Sequence, residues 1–286
     1  MLAVKITPHL QKLIKKYPAI KKQFIPSKYE LSNQAGSDDP LFEEKYTVTR
    51  GLIYKYPNRA LILLTLNCAA YCRFCTRRRS VSDIKKGILT ERDLDSMEKY
   101  LRRHPEIKEL IFSGGDPLTV PLLLKKALKR FCQLPQIKII RVSTRLHVSD
   151  PKQVDSKVLS ALKIVKRQPL YLMVHFEHSN EIIKPTIKAI QKLQTASTML
   201  LSQTVSLKGI NNFVETLCKL FTRLIEIGVK PYYFLRCDAV KGAKHFMVDR
   251  EKEKMIFTGL RKRLSGIACP IFVKDSSDRS SKKLIL

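Results

Sequence analysis

From residue 60 onward, apolar runs of strand length alternate with stretches whose apolar positions recur at helical spacing. The runs ALILLTL (60–66), ELIFS (109–113), IKIIRVS (137–143), LYLMVHF (170–176), TMLLSQTV (198–205) and PYYFLR (231–236) are rich in Ile, Leu, Val and Tyr, which suit a pleated, packed surface. Each reads as a strand buried on both faces, as in parallel sheets. Between them, 90–104 opening at Thr90, 121–133, 155–165, 181–194 and 212–227 carry helical periodicity, with Gly228 placed as a C-cap. This alternation predicts an α/β fold with a parallel sheet and right-handed crossovers, closed or partly closed as a barrel. An open doubly wound sheet is the alternative.

The first 45 residues follow another pattern. Leu10, Leu13, Ile14 and Tyr17 give a basic amphipathic stretch, followed by the polar, turn-rich NQAGSDDP ending at Pro40. The expected organisation is a helical extension and linker (1–45), a barrel (46–246), and a C-terminal helix and strand (247–286).

Composition narrows the class. No uncharged apolar run approaches the roughly 18 residues of a membrane span, and MLAVKITPHLQKLIKK lacks the apolar core of a signal peptide. A cytoplasmic protein without a membrane partner is expected. There, clustered thiols bind metal or do chemistry instead of forming disulfides. The 54 Lys and Arg against 25 Asp and Glu give a net charge of +29, a field that attracts nucleic acid, anionic membrane or an acidic protein. No basic run is interleaved with aromatics as a stacking platform would be, which disfavours nucleic acid.

Chemically capable residues collect after the strands. Cys68, Cys72 and Cys75 follow the first, Ser113-Gly114-Gly115-Asp116 the second and Thr144-Arg145 the third; His175 closes the fourth, Gln203 the fifth, and Asp238 trails the sixth. These are strand C-terminal ends, where parallel α/β folds place their active sites. The spacing Cys68-x3-Cys72-x2-Cys75 offers three soft thiolates in one loop for a metal or cluster. A closed structural site needs four protein ligands, whereas three leave a position open for substrate or cofactor. A zinc knuckle borrowing a distant Cys or His is the alternative.

With Phe74 before the third cysteine, this motif resembles the signature of the radical S-adenosylmethionine superfamily. The resemblance implies a [4Fe-4S] cluster on Cys68, Cys72 and Cys75 whose unique iron binds S-adenosylmethionine. It also implies a partial (β/α)6 TIM-type barrel. KYPNRALIL (55–63), NCAAYCRFCTRRR (67–79), FSGGDPL (112–118), HFEHSNE (175–181), SQTVSLKGIN (202–211) and KPYYFLRCDAVKGAKHF (230–246) narrow it to the lysine 2,3-aminomutase family. The short branch, which makes β-lysine for modifying elongation factor P, is the better match, because the chain stops at Leu286 without the longer members' zinc-binding extension.

The family resemblance implies pyridoxal phosphate carried as a Schiff base on a C-terminal lysine, here Lys282 in FVKDSSDRSSKK (272–283), with Lys283 as the alternative. The family's glycines there are replaced by Ser276, Ser277, Asp278, Arg279, Ser280 and Ser281. Arg59 and Gln203 match positions that hold pyridoxal phosphate, with Lys55 and Tyr56 on the same wall. Ser113, Gly114, Gly115 and Asp116 match the turn at the methionyl end of S-adenosylmethionine, its glycines letting backbone approach the cofactor, and His175 with Asn180 the adenosyl side. Arg77 matches the ligand of the substrate α-carboxylate, and Asp238 and Asp275 the pair that binds the distal ammonium. The implied activity is an isomerase moving the α-amino group of L-lysine to carbon 3, fed by a flavodoxin- or ferredoxin-type electron donor. A radical S-adenosylmethionine enzyme acting on RNA or a protein residue without pyridoxal phosphate is the alternative.

Overall fold

The computed structural model describes residues 2–32, 35–81, 83, 87–276, 278 and 282–285. Three helices open the chain: α1 (Pro8–Lys16), α2 (Pro18–Phe24) and α3 (Tyr29–Ser32). Strands β1 (Thr47–Thr49), β2 (Leu52–Tyr56) and β3 (Arg59–Thr65) follow, then α4 (Glu91–Arg103), β4 (Glu109–Gly114), α5 (Pro121–Phe131), β5 (Ile139–Thr144), α6 (Leu146–Ser149) and α7 (Ser156–Leu162). The remainder is β6 (Leu170–His175), α8 (Lys184–Gln194), β7 (Met199–Ser206), α9 (Val214–Glu226), β8 (Lys230–Arg236), α10 (Arg250–Arg263), β9 (Ile271–Lys274) and β10 (Lys283–Leu284).

The ten strands form one sheet in chain order from β1 to β10. Pairs from β3 through β9 are parallel, while β1, β2 and β10 pair antiparallel, with β1 and β10 at the two edges. Among the described residues the sheet does not close, so this is a partial barrel, and the six predicted strands are β3 to β8. The β1–β2 hairpin and β10 had no expectation, being too short for a periodic signal. Local chemistry sets the helix boundaries as read: Thr90 accepts from the Asp93 amide and Asp93 returns the bond, boxing the start of α4. Gly228, at φ +73°, follows α9 in the left-handed conformation that glycine tolerates.

The strands are not buried on both faces. Along β5 and β7 burial alternates residue by residue. Ile140 and Val142 face the helices and are fully buried, while Arg141 and Ser143 face inward on a cavity. Side chains alternate faces along a strand, so every second position of the barrel strands builds the site. The N-terminal helices share the main core, since Leu10, Leu13, Ile20 and Phe24 pack in the same cluster as Leu64, Phe112 and Val142. Burying such side chains is worth about 1.5–3 kcal/mol each, which seats the extension against the barrel.

Candidate active site

The cysteine loop leaves the end of β3 and is anchored from both sides. On the barrel side the Gly115 amide donates to Thr65 O at 2.6 Å and the Asp116 amide to Asn67 O at 2.7 Å. On the other, Lys5 Nζ donates to Asn67 Oδ1 at 2.9 Å, the Tyr71 amide to Lys5 O at 3.0 Å, and the Arg73 amide to Gln23 O at 2.8 Å. Arg73, between Cys72 and Phe74, is wholly buried. Its guanidinium meets Glu30 Oε1 at 2.9 Å and the carbonyls of Leu2 and Ala3 at 3.0 Å. A buried cation holds its place only when its donors are filled, so the N-terminal segment supports the loop.

Burial holds the thiols of Cys68, Cys72 and Cys75 above their ordinary range, Cys75 at about 11. Iron binding must therefore displace protons. The three thiols influence one another electrostatically, yet among the described residues no three His, Cys, Asp or Glu side chains converge on a single ion. Three soft sulfur ligands in one loop suit a cluster in which each sulfur takes its own iron. The donor set fits a [4Fe-4S] cluster with one corner left bare.

The Ser-Gly-Gly-Asp turn packs on the root of this loop. A Cβ on Gly114, which has φ +116°, would lie 2.2 Å from Thr65 O, and one on Gly115 would lie 2.2 Å from Asn67 O. The approach that demands glycine within the protein itself is thus backbone against backbone. Asp116 is buried and accepts from Thr144 Oγ1 at 2.9 Å, the Arg145 amide at 2.8 Å and the Leu118 amide at 3.1 Å, tying β4 to β5.

Inside the barrel lies a cavity of about 760 Å³, within the range of small-molecule sites. It brings together Arg59, Arg77, Ser113, His175, Gln203, Asp238, Asp275 and Lys282, with Lys55 and Tyr56. The three cysteines, Gly114, Gly115, Asp116 and Asn180 are not on its wall. Strand register produces part of the grouping: His175 on β6 pairs with Gln203 on β7, which pairs with Tyr233 on β8.

Lys282 forms an ion pair with Asp275, and its ammonium lies 5.7 Å from the centre of the Tyr233 ring. Lys283, in β10, is exposed. Of the serine-rich loop, Ser277, Arg279, Ser280 and Ser281 lie outside the described residues, while Ser276 O and Leu41 O accept from Lys55 Nζ. Burial, together with neighbouring Asp275, lifts the Asp238 carboxyl to about 7 against the pull of Lys282, Lys274 and Lys55. The Arg59 guanidinium stacks 4.0 Å from the Tyr56 ring centre. A primary amine, a stacked guanidinium and a wall of tyrosines fit a pyridine aldehyde bearing a phosphate.

Arg77 is engaged already. Its Nε and Nη2 donate to Glu43 at 2.6–3.1 Å, and Nη1 reaches Ser113 Oγ at 3.3 Å and Gly114 O at 3.2 Å. Sequence reasoning missed Glu43, one of several acids in a polar linker, and the inward pair Arg141–Glu109, two charges inside runs read as apolar. A charge at an inward position of a strand was the available signal.

The Radical SAM superfamily profile matches residues 62–220. The L-lysine 2,3-aminomutase of Clostridium subterminale is 34% identical over 290 residues, covering 100% of this chain and 69% of that protein. The L-lysine 2,3-aminomutase of Escherichia coli (strain K12) is 35% identical over 263 residues, covering 91% and 76%. Among solved structures, a radical SAM methyltransferase from Sphaerobacter thermophilus superposes with a TM-score of 0.56 at 16% identity, over 78% of this chain and 68% of that one. That likeness concerns the fold.

Proposed function

Because the chain belongs to the lysine 2,3-aminomutase family of the radical SAM superfamily, an isomerase family whose cofactors are a [4Fe-4S] cluster, S-adenosylmethionine and pyridoxal phosphate, we propose that it converts L-lysine to β-lysine in the barrel cavity. The observation that carries this reading is that Lys282, Asp275, Asp238 and Arg77 all line one cavity.

When bound, the cluster with S-adenosylmethionine supplies a hydrogen-abstracting radical, and pyridoxal phosphate supplies the aldehyde through which nitrogen migrates. Cys68, Cys72 and Cys75 hold the cluster. Ser113, Gly114, Gly115 and Asp116 fix the loop and turn beside it, with His175 and Asn180 toward the adenosyl group. Lys282 is the attachment point for pyridoxal phosphate, Arg59 serves its phosphate, and Gln203 and Tyr56 flank it.

The remaining roles follow from charge. Arg77 offers a planar fork matched to a carboxylate, and the substrate α-carboxylate takes the place of Glu43 there. Asp275 neutralises the Lys282 ammonium; once that amine is engaged, Asp275 is released to share the substrate's distal ammonium with Asp238. Two carboxylates on one ammonium reject side chains ending in neutral groups.

Among the described residues no helix is long and apolar enough to cross a membrane. A cytoplasmic enzyme fed by a flavodoxin- or ferredoxin-type donor, with its product passed to elongation factor P, extends the same reading. The test is anaerobic reconstitution with pyridoxal phosphate, borohydride reduction and peptide mapping. A phosphopyridoxyl label on Lys282 is expected; label elsewhere, or none with the cluster intact, overturns the assignment.

A further inference from the structure

Arg145, just beyond β5, places its guanidinium against the cysteine loop. Its Nη1 donates to Cys72 Sγ at 2.8 Å. Its Nη2 meets Glu181 Oε1 at 3.0 Å and also bonds Gln23 Oε1. The Cζ atom lies 4.9 Å from the Phe24 ring centre and 5.6 Å from that of Phe74, and the backbone amide is fixed by Asp116 at 2.8 Å. The side chain is only 11% exposed and Glu181 is fully buried. Gln23 closes the ring of contacts, since its Nε2 donates to Glu181 Oε1 at 2.8 Å. A helix of the N-terminal extension thus fixes the cation that touches a cysteine sulfur.

We infer that Arg145, oriented by Gln23 and Glu181, is a positioning residue that sets the reduction potential of the cluster through its hydrogen bond to Cys72. This rests on the reading that the three cysteines hold the cluster. A donor to a ligating sulfur withdraws electron density, and a fixed cation in a poorly screened interior favours the more negative, reduced state. Glu181 opposes that charge but also holds it in place. Removing Arg145 therefore lowers the potential twice, by losing the donor and by leaving Glu181 uncompensated.

The experiment compares anaerobically reconstituted full-length wild type with Arg145→Met, Arg145→Lys and Gln23→Leu. Iron and sulfide are counted, and midpoint potentials are measured by dithionite titration followed by electron paramagnetic resonance. Arg145→Met is expected to retain its cluster and to show at least a tenfold smaller one-electron reduction constant, 59 mV more negative. Arg145→Lys should fall between it and wild type, and Gln23→Leu should shift less in the same direction. If Arg145→Met fails to assemble, the other two variants decide. Unchanged potentials in variants with full iron content overturn the inference. A wild type that takes up no iron overturns the cysteine reading itself, and this inference with it.

Discussion

Glu43 occupies the guanidinium fork of Arg77, accepting from Nε and Nη2 at 2.6–3.1 Å, so a carboxylate already sits where the substrate's is expected. Substrate binding then requires exchange of one carboxylate for another. Glu43→Gln removes the competing charge and should lower the KM for lysine about 3- to 10-fold with kcat little changed. It also removes one partner of a largely buried ion pair, costing up to about 3–5 kcal/mol of stability. Steady-state kinetics with a thermal melt check both signs; an unchanged KM contradicts the exchange.

The Asp238 carboxyl titrates near 7, raised by burial and by Asp275. A group that holds its proton more tightly when folded makes the protein lose stability as pH rises from the unfolded value toward 7. At 1.36 kcal/mol per unit, a shift of about three units corresponds to at most about 4 kcal/mol. Asp238→Asn should therefore raise Tm at pH 8, with the gain fading toward pH 5. In the role proposed for Asp238, lysine binding needs the ionised acid, so wild-type affinity should weaken as pH falls below about 7. Calorimetric titration with lysine between pH 6 and 8 reads this directly.

Arg73 and Glu30 form a buried pair between the N-terminal segment and the cysteine loop. Breaking one partner of such a pair costs about 3–5 kcal/mol. Glu30→Gln should lower stability by that order and reduce iron retained after gel filtration. Normal iron content in a destabilised variant would separate the pair from the loop's function.

Gly115→Ala should spare the barrel and damage the loop. Its new Cβ would fall 2.2 Å from Asn67 O, pushing apart the backbone that roots Cys68. Circular dichroism near wild type with iron reduced at least severalfold is expected; full iron uptake would show that the loop relaxes without harm.

The sheet and its crossovers were legible because β3 to β8 are long apolar runs separated by periodic helices. The cysteine loop stood out by its spacing, which left a zinc knuckle open until the family resemblance was added. What escaped depends on contacts distant in sequence. Nothing in the neighbourhood of Glu43 announces Arg77, 34 residues away, nor does Gln23 announce Arg145, 122 residues on. The inward face of the strands was missed for another reason: Leu61, Ile111 and Leu201 line the cavity beside Arg59, Glu109 and Gln203, so it is apolar enough to read as packed core. The glycine turn was placed correctly, but only the coordinates reveal that its close neighbour is Thr65 and Asn67 backbone.

The central claim is amino migration in this cavity, and its most direct measurement follows nitrogen itself. L-lysine labelled with 15N at the α-amino group is incubated anaerobically with the reconstituted protein, pyridoxal phosphate, S-adenosylmethionine and reductant, and the carbon–nitrogen couplings are read by NMR. The account predicts the label on carbon 3 of β-lysine. Cleavage of S-adenosylmethionine by protein with its cluster intact and Lys282 loaded, while the label stays on carbon 2, would contradict it.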